Sequence, residues 1–373
     1  LTSISIRPTP VSSTLGAVRT TAPRITGERS LTSTYSSLLA TVREAGLLRR
    51  RRGFYIAVFS VLVLALLGCA VGFVLLGPSW FQLLIAAALG VILTQFAFLA
   101  HEASHRQVFE SGKVNDRAGR LLASGIVGMS YSWWMTKHTR HHANPNTIGK
   151  DPDIETDTIS FVEEEAAKSK GFVRAITRKQ GYLFFPLLLL EGLNLHFRSI
   201  SSLLEKRKIE GRALELTLIG VRLSLYIAAI FLLLPVGMAF AFLGVQLAVF
   251  GVYMGASFAP NHKGMPLIAE GTKLDFLRKQ VLTSRNIKGG FGMSLAMGGL
   301  NHQIEHHLFP SMPRPHLGRA RRIVKEHCAT ENIPYTETGL VRSYGIVIEY
   351  LNRVGLSARD PFDCPEVNRY RRR

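Results

Sequence analysis

Nine of the twelve histidines fall in four short stretches. His101 and His105 stand in HEASH, and His138, His141 and His142 in HTRHH. His262 stands in APNHKGMP, and His302, His306 and His307 in NHQIEHHLFP. His101 and His105 are four residues apart, so on a helix they share one side. His138 has the same relation to His142 and a three-residue relation to His141. Gln303 precedes His306 and His307 by the same spacing, an amide where a further imidazole could sit. Neutral imidazole ligates iron, zinc or copper. One such pair is weak evidence, but three boxes of matching spacing point to a metal site. The histidines outnumber what one tetrahedral zinc uses, so two ions fit the count. Glu102, Asp151, Asp153 and Glu305 lie beside the histidines. A carboxylate so placed accepts the far N–H of a ligand and orients its ring; Glu102 and Glu305 also read as solvated residues, Glu305 equally so.

The elements that must gather these boxes are apolar. Four uncharged or nearly uncharged runs are long enough to cross a bilayer as helices: about 54–76, 81–100, 213–234 and 238–260. GPSW joins the first two and PVG the last two, so the runs form two hairpins. Arg49–Arg52 precede the first run and assign its entry side to the cytoplasm. Both termini and all four histidine stretches then fall on that face. Glu215 and Arg222 lie inside the third run and need partners. The shorter runs 121–135 and 182–200 read as helices lying in the interface. Counting one of them as a fifth span would put the later histidines on the opposite side from the early ones. The expected fold is therefore an all-α integral membrane protein, with four transmembrane helices, interfacial helices and a cytoplasmic cap holding a histidine-rich di-metal site.

Composition agrees. The 373 residues are 47% hydrophobic and carry a formal charge of +19. In a soluble protein that charge would suggest nucleic acid, but no nucleic-acid-binding motif appears. Here the basic residues flank apolar runs and face anionic headgroups. Cys69, Cys328 and Cys364 form no CxxC pair, which fits a reducing face. Residues 1–50 read as a basic cytoplasmic tail, its first 37 residues rich in Ser, Thr, Pro and Arg and expected to be disordered. Residues 51–318 read as the membrane domain and 319–373 as a basic cytoplasmic tail. The membrane expected is the plasma membrane.

HEASH, HTRHH and QIEHHLFP together resemble the histidine boxes of the integral-membrane di-iron fatty acid desaturases, over residues 54 to beyond 316. Glutamine at the head of the third box resembles the acyl-lipid and front-end branch. The resemblance implies two iron ions held by His101, His105, His138, His141, His142, His306 and His307, with Gln303 in the position of a ligand. It also implies one more histidine before the third box. His262 is preferred because it closes a span, and His196 in EGLNLH is the rival. Related acyl-CoA enzymes place an asparagine four residues before that histidine, where this chain has Phe258. His302, His196, Glu102, Asp151 and Asp153 remain as further ligands or hydrogen-bond partners of ligands. His316 and His327 read as surface or packing residues.

The implied activity is O2-dependent insertion of a cis double bond into the acyl chain of a lipid or acyl-CoA. No HPGG cytochrome motif, GxGxxG fingerprint or cysteine cluster appears. A separate donor, a ferredoxin or a reductase, is therefore expected to supply electrons. A lipid hydroxylase or ketolase would use similar boxes and is the nearest rival. A metal or haem transporter would place its site near the bilayer midplane, and a structural zinc staple would consume no oxygen.

Overall fold

In the computed structural model, residues 31–358 are described. The first uncharged run forms α2 (Arg52–Leu76), following α1 (Leu31–Glu44), and returns as α3 (Gln82–Ser104). The turn uses Gly77 at φ 56°, a conformation that suits glycine, and the Gln82 amide donates to the Phe73 and Gly77 carbonyls at 2.6 and 2.9 Å. α4 (Gly112–Arg120) continues into a π-helical turn, Leu121–Val127, which Gly128 ends at φ 91°. α5 (Tyr131–Ala143) then carries the second box, with Ser130 capping it by accepting from the Trp133 N–H. The apolar run 121–135, expected as one interfacial helix, is thus broken at Gly128. The reason is the wider π turn, whose last carbonyls turn outward to side chains of other helices.

Two short helices, α6 (Glu163–Lys168) and α7 (Gly171–Thr177), lead to α8 (Gln180–Leu204). The second hairpin is α9 (Arg212–Leu233) and α10 (Val236–His262). Five helices are long and apolar enough to cross a membrane: α2, α3, α8, α9 and α10. α8 is the least apolar of them and matches the run expected to lie in the interface.

α8 packs on α10 backbone to backbone. A Cβ added to Gly251 would lie 2.4 Å from the Gly192 nitrogen and 2.5 Å from the Leu188 carbonyl. Gly251→Val is expected to force this crossing apart and cost about 1–3 kcal/mol. The check is a lower melting temperature of the purified protein, beside an unchanged one for Gly244→Ala, a site with open space around it.

The cap is built from α11 (Phe276–Leu282), α12 (Phe291–Ala296), a 3-10 turn at Leu300–His302, α13 (Gln303–Leu308), α14 (Arg314–Thr330) and α15 (Leu340–Leu356). A two-residue parallel ladder, β1 (Asn286–Ile287) with β2 (Glu337–Thr338), ties its halves. Residues 31–50 of the expected tail pack on the cap. Leu38, Val42 and Leu47 bury one stripe of α1 and its exit against Leu277, Ile304, Leu308 and Val324. Apolar spacing there outweighs the polar composition. Residues 1–30 and 359–373, including Cys364, lie outside the described residues. From the second expected tail, α15 packs on α10, where Ser343 donates to the Pro260 carbonyl and Tyr344 to the Ala256 carbonyl.

Arg222 and Glu215 find partners. Arg222 donates to the Ile126 carbonyl at 3.0 Å, at the end of the π turn, and lies over the Tyr226 ring. Glu215 is fully buried and accepts from Arg120, Ser130 and Ser132 at 3.0, 2.7 and 2.5 Å.

Candidate metal centre

Helix periodicity puts His101 and His105 on one side of the end of α3, and His138, His141 and His142 along the last turns of α5. α10 ends on His262, and the single turn of α13 carries Gln303, His306 and His307. The structure brings these four ends together. His101, His105, His138, His142 and His306 form one group whose ligand nitrogens all lie within 4.8 Å of one another, and His141, His262 and His307 form a second. The groups adjoin where His142 and His307 stack at 4.2 Å between ring centroids.

Within the larger group the Nε2 atoms of His101 and His138 are 3.1 Å apart, and those of His105 and His138 2.8 Å. In the smaller, His141 Nε2 is 3.3 Å from His262 Nε2. Two imidazole nitrogens about 2.1 Å from one cation sit roughly 3 Å apart, so these separations fit shared cations. The Nε2 atoms of His142, His306 and His307 are buried without a hydrogen-bond partner among the described residues. Buried polar atoms are seldom left so, and a cation supplies the missing partner.

Electrostatics point the same way. Burial pushes His105 down to about 3, and burial followed by the neighbouring imidazoles holds His138, His142, His306 and His307 well below the usual histidine range. Such rings stay neutral, the form that binds a cation. His141 differs: burial lowers it, but Asp153 and Asp151 outweigh burial and raise it.

The smaller group has a hydrogen-bond partner behind each ring. His141 Nδ1 lies 3.0 Å from Asp151 Oδ1 and 3.4 Å from Asp153 Oδ2. His262 Nδ1 faces the Thr283 carbonyl at 3.0 Å, and His307 Nδ1 the Gln280 amide oxygen at 2.8 Å. Gln303 lies at this group, its amide nitrogen 2.9 Å from His262 Nε2 and its oxygen accepting from Asn261 at 3.3 Å.

Other candidates lie apart. His196 has Nδ1 against the Gly192 carbonyl at 2.7 Å and Nε2 against that of Val127 at 3.3 Å, outside both groups. His302 is buried beside Gly318, also outside them. Glu102 faces Arg314 rather than a histidine, with Arg314 Nε donating to it at 2.6 Å. Glu305 accepts from Asn286 and from Tyr335, each at 2.7 Å. His316 meets the Arg49 carbonyl at 3.2 Å. Gln280 and Thr283 carry no motif and sit far from the boxes in sequence, so spacing offered no signal for them.

An apolar cleft reaches His101 between α3, the π turn, α5 and α10. Ala97, Ala100, Ala123, Met129, Trp134 and Phe258 line it. Trp134 also stacks on His138 at 4.1 Å.

The sequence matches the family model for fatty acid desaturases over residues 78–339. It is 28% identical to the Delta(8)-fatty-acid desaturase of Helianthus annuus over 87% of this chain and 74% of that protein. It is 25% identical to the Delta(6)-fatty-acid desaturase of Caenorhabditis elegans over 88% of this chain and 76% of that one. The acyl-lipid (9-3)-desaturase of Borago officinalis is 28% identical over 73% and 63%.

Proposed function

The chain belongs to the fatty acid desaturase family and is an acyl desaturase of membranes, and we propose that it works through two iron ions. His101, His105, His138, His142 and His306 would hold one ion. His141, His262 and His307 would hold the other, and Gln303 would join them through its amide oxygen once that amide turns away from Asn261. The observation that carries this reading is the meeting of eight histidines from four helix ends in two adjoining groups beside an apolar cleft. Iron bound there supplies activation of O2 and removal of two hydrogens from neighbouring methylenes of an acyl chain.

The chain's own residues do the rest. The cleft walls take up the acyl chain, exclude water and present one stretch of it beside His101. Trp134 serves both tasks, as a wall of the cleft and as a plate that holds the His138 ring. Asp151 and the Thr283 carbonyl hold protons on the Nδ1 atoms of His141 and His262, which leaves the lone pair of each ring on Nε2. The named relatives act at different positions, Delta(8) and Delta(6). The position in this chain then follows from how deep its own cleft lets an acyl chain run.

A four-span topology is supported by parity. The ends of α3 and α10 meet in one cluster, so an even number of crossings separates them. α9 and α10 supply two, and a full crossing by α8 would make three. Glu215, in the first turn of α9, bonds Ser130 and Ser132 at the start of α5, which supports reading that turn on the side of the histidines. α8 therefore enters and leaves on that side. The arginines at 49–52 favour the cytoplasmic side for it. Two electrons per turnover come from a separate donor, a ferredoxin or a reductase, drawn to a chain of charge +19. Turnover with purified donor should fall as salt rises, and a salt-independent rate would sink the electrostatic docking.

The test of the reaction is a mass profile of total fatty acids from a host that lacks this enzyme and holds a competent donor. Chains two hydrogens lighter are expected with the wild type only, absent with empty vector. Chains heavier by one oxygen would make the protein a hydroxylase instead.

A further inference from the structure

We propose that Gln280 is a positioning residue of the metal centre, selecting the nitrogen of His307 that faces the cation and tying the second histidine box to the third. The proposal rests on reading the cluster as a di-metal site, and goes beyond it by giving a role to a residue outside every box.

Gln280 lies on α11, fully buried. Leu277 and Val281 on the same short helix sit in the cap core, and Asp275 caps its start by accepting from the Arg278 N–H at 2.9 Å. The side chain is therefore delivered to one place. Its nitrogen lies 2.9 Å from the His142 carbonyl oxygen, and its oxygen 2.8 Å from His307 Nδ1.

These two contacts determine a proton. A backbone carbonyl only accepts, so the amide must turn its N–H2 toward His142. The amide oxygen is then left for His307, and it too only accepts. Nδ1 of His307 must carry the hydrogen, and a neutral imidazole protonated at Nδ1 has its lone pair on Nε2. That Nε2 is buried without a hydrogen-bond partner among the described residues, in the group with His141 and His262. The bond to the His142 carbonyl also fixes the end of α5 against α13, whose rings His142 and His307 stack.

A filler of the core would have different consequences from a positioning residue. Gln280→Met keeps the length and removes both bonds, so the His307 ring can turn or adopt the other tautomer. Gln280→Glu keeps an acceptor for Nδ1 but cannot donate to the carbonyl. The experiment compares wild type and both variants, purified and loaded with 57Fe, by iron stoichiometry, iron affinity and Mössbauer spectra. Gln280→Met should bind iron at one site about 10–100-fold more weakly, with that site's Mössbauer doublet changed and the other kept. Gln280→Glu should recover most of that affinity. Wild-type affinity and spectrum in Gln280→Met would overturn the proposal while leaving the di-metal reading intact. A wild type that takes up no iron would overturn both. Should Gln280→Met not fold, Gln280→Asn decides: it keeps the amide but is one methylene too short for both partners, and unchanged iron affinity there would equally overturn the assignment.

Discussion

His306→Ala will leave the chain in the membrane and end its turnover. His306 is buried on α13, and its ring lies 4.8, 4.7 and 4.8 Å from those of His101, His105 and His142. It is the one residue of the third box in the larger group, so its loss uncouples that box from the first and second. Its Nε2 has no partner among the described residues, so no protein hydrogen bond at that atom is lost. The protein should therefore still fold and insert, with loss confined to metal and activity. The drop in iron affinity should exceed the ~10–100-fold that losing a hydrogen-bond partner of a ligand costs. Elemental analysis should find about half the wild-type iron, and chromatography of host lipids no new unsaturated chains. His142→Ala should behave alike, since both its ring nitrogens lack hydrogen-bond partners among the described residues. His316→Ala, which gives up only a bond to the Arg49 carbonyl, should keep most of its iron and activity. Full turnover by His306→Ala would end the metal assignment.

The long apolar helices were legible because an uncharged run of bilayer length has few other uses: α2, α3, α9 and α10 start and stop within four residues of the expected runs, and α8 is a fifth helix long and apolar enough to cross. The boxes were legible because i, i+4 spacing is a local property of one helix. What a residue faces across the fold is not local. Arg222 meets the carbonyl of Ile126, 96 residues away, and Glu102 meets Arg314 at 212. No spacing rule reports such pairs, and Glu102 beside His101 looked as ready to serve a histidine. α8 stayed ambiguous because its second half mixes Glu191, Asn194, His196 and Arg198 into apolar sequence. The π turn could not be foreseen, since Leu121–Val127 reads as ordinary helix and its outward carbonyls are paid for by Arg222 and His196 from other helices.

Glu102 provides the second large effect. Its carboxylate takes two bonds from the Arg314 guanidinium, and the pair is buried, with side-chain exposures of 2% and 4%. Tyr55 closes the cluster: the Arg314 N–H donates to its hydroxyl at 3.2 Å, and that hydroxyl donates to Gln107 at 3.1 Å. Phe54 lies under the guanidinium. The cluster thus joins α2, the histidine-bearing end of α3 and the start of α14. Glu102→Leu leaves a cation buried without its counter-charge, which costs about 3–5 kcal/mol. Arg314→Met leaves the carboxylate in the same position and should cost a comparable amount. The double variant Glu102→Leu/Arg314→Met removes both charges at once, and apolar replacement of a buried pair is often neutral. It should therefore recover most of the lost stability, seen as a melting temperature near that of the wild type. The double variant also separates two roles for Glu102. If the carboxylate serves only the ion pair, the double variant regains iron and turnover along with stability. If it regains stability but not iron, Glu102 acts on the ligands after all, and its bond to Arg314 is secondary.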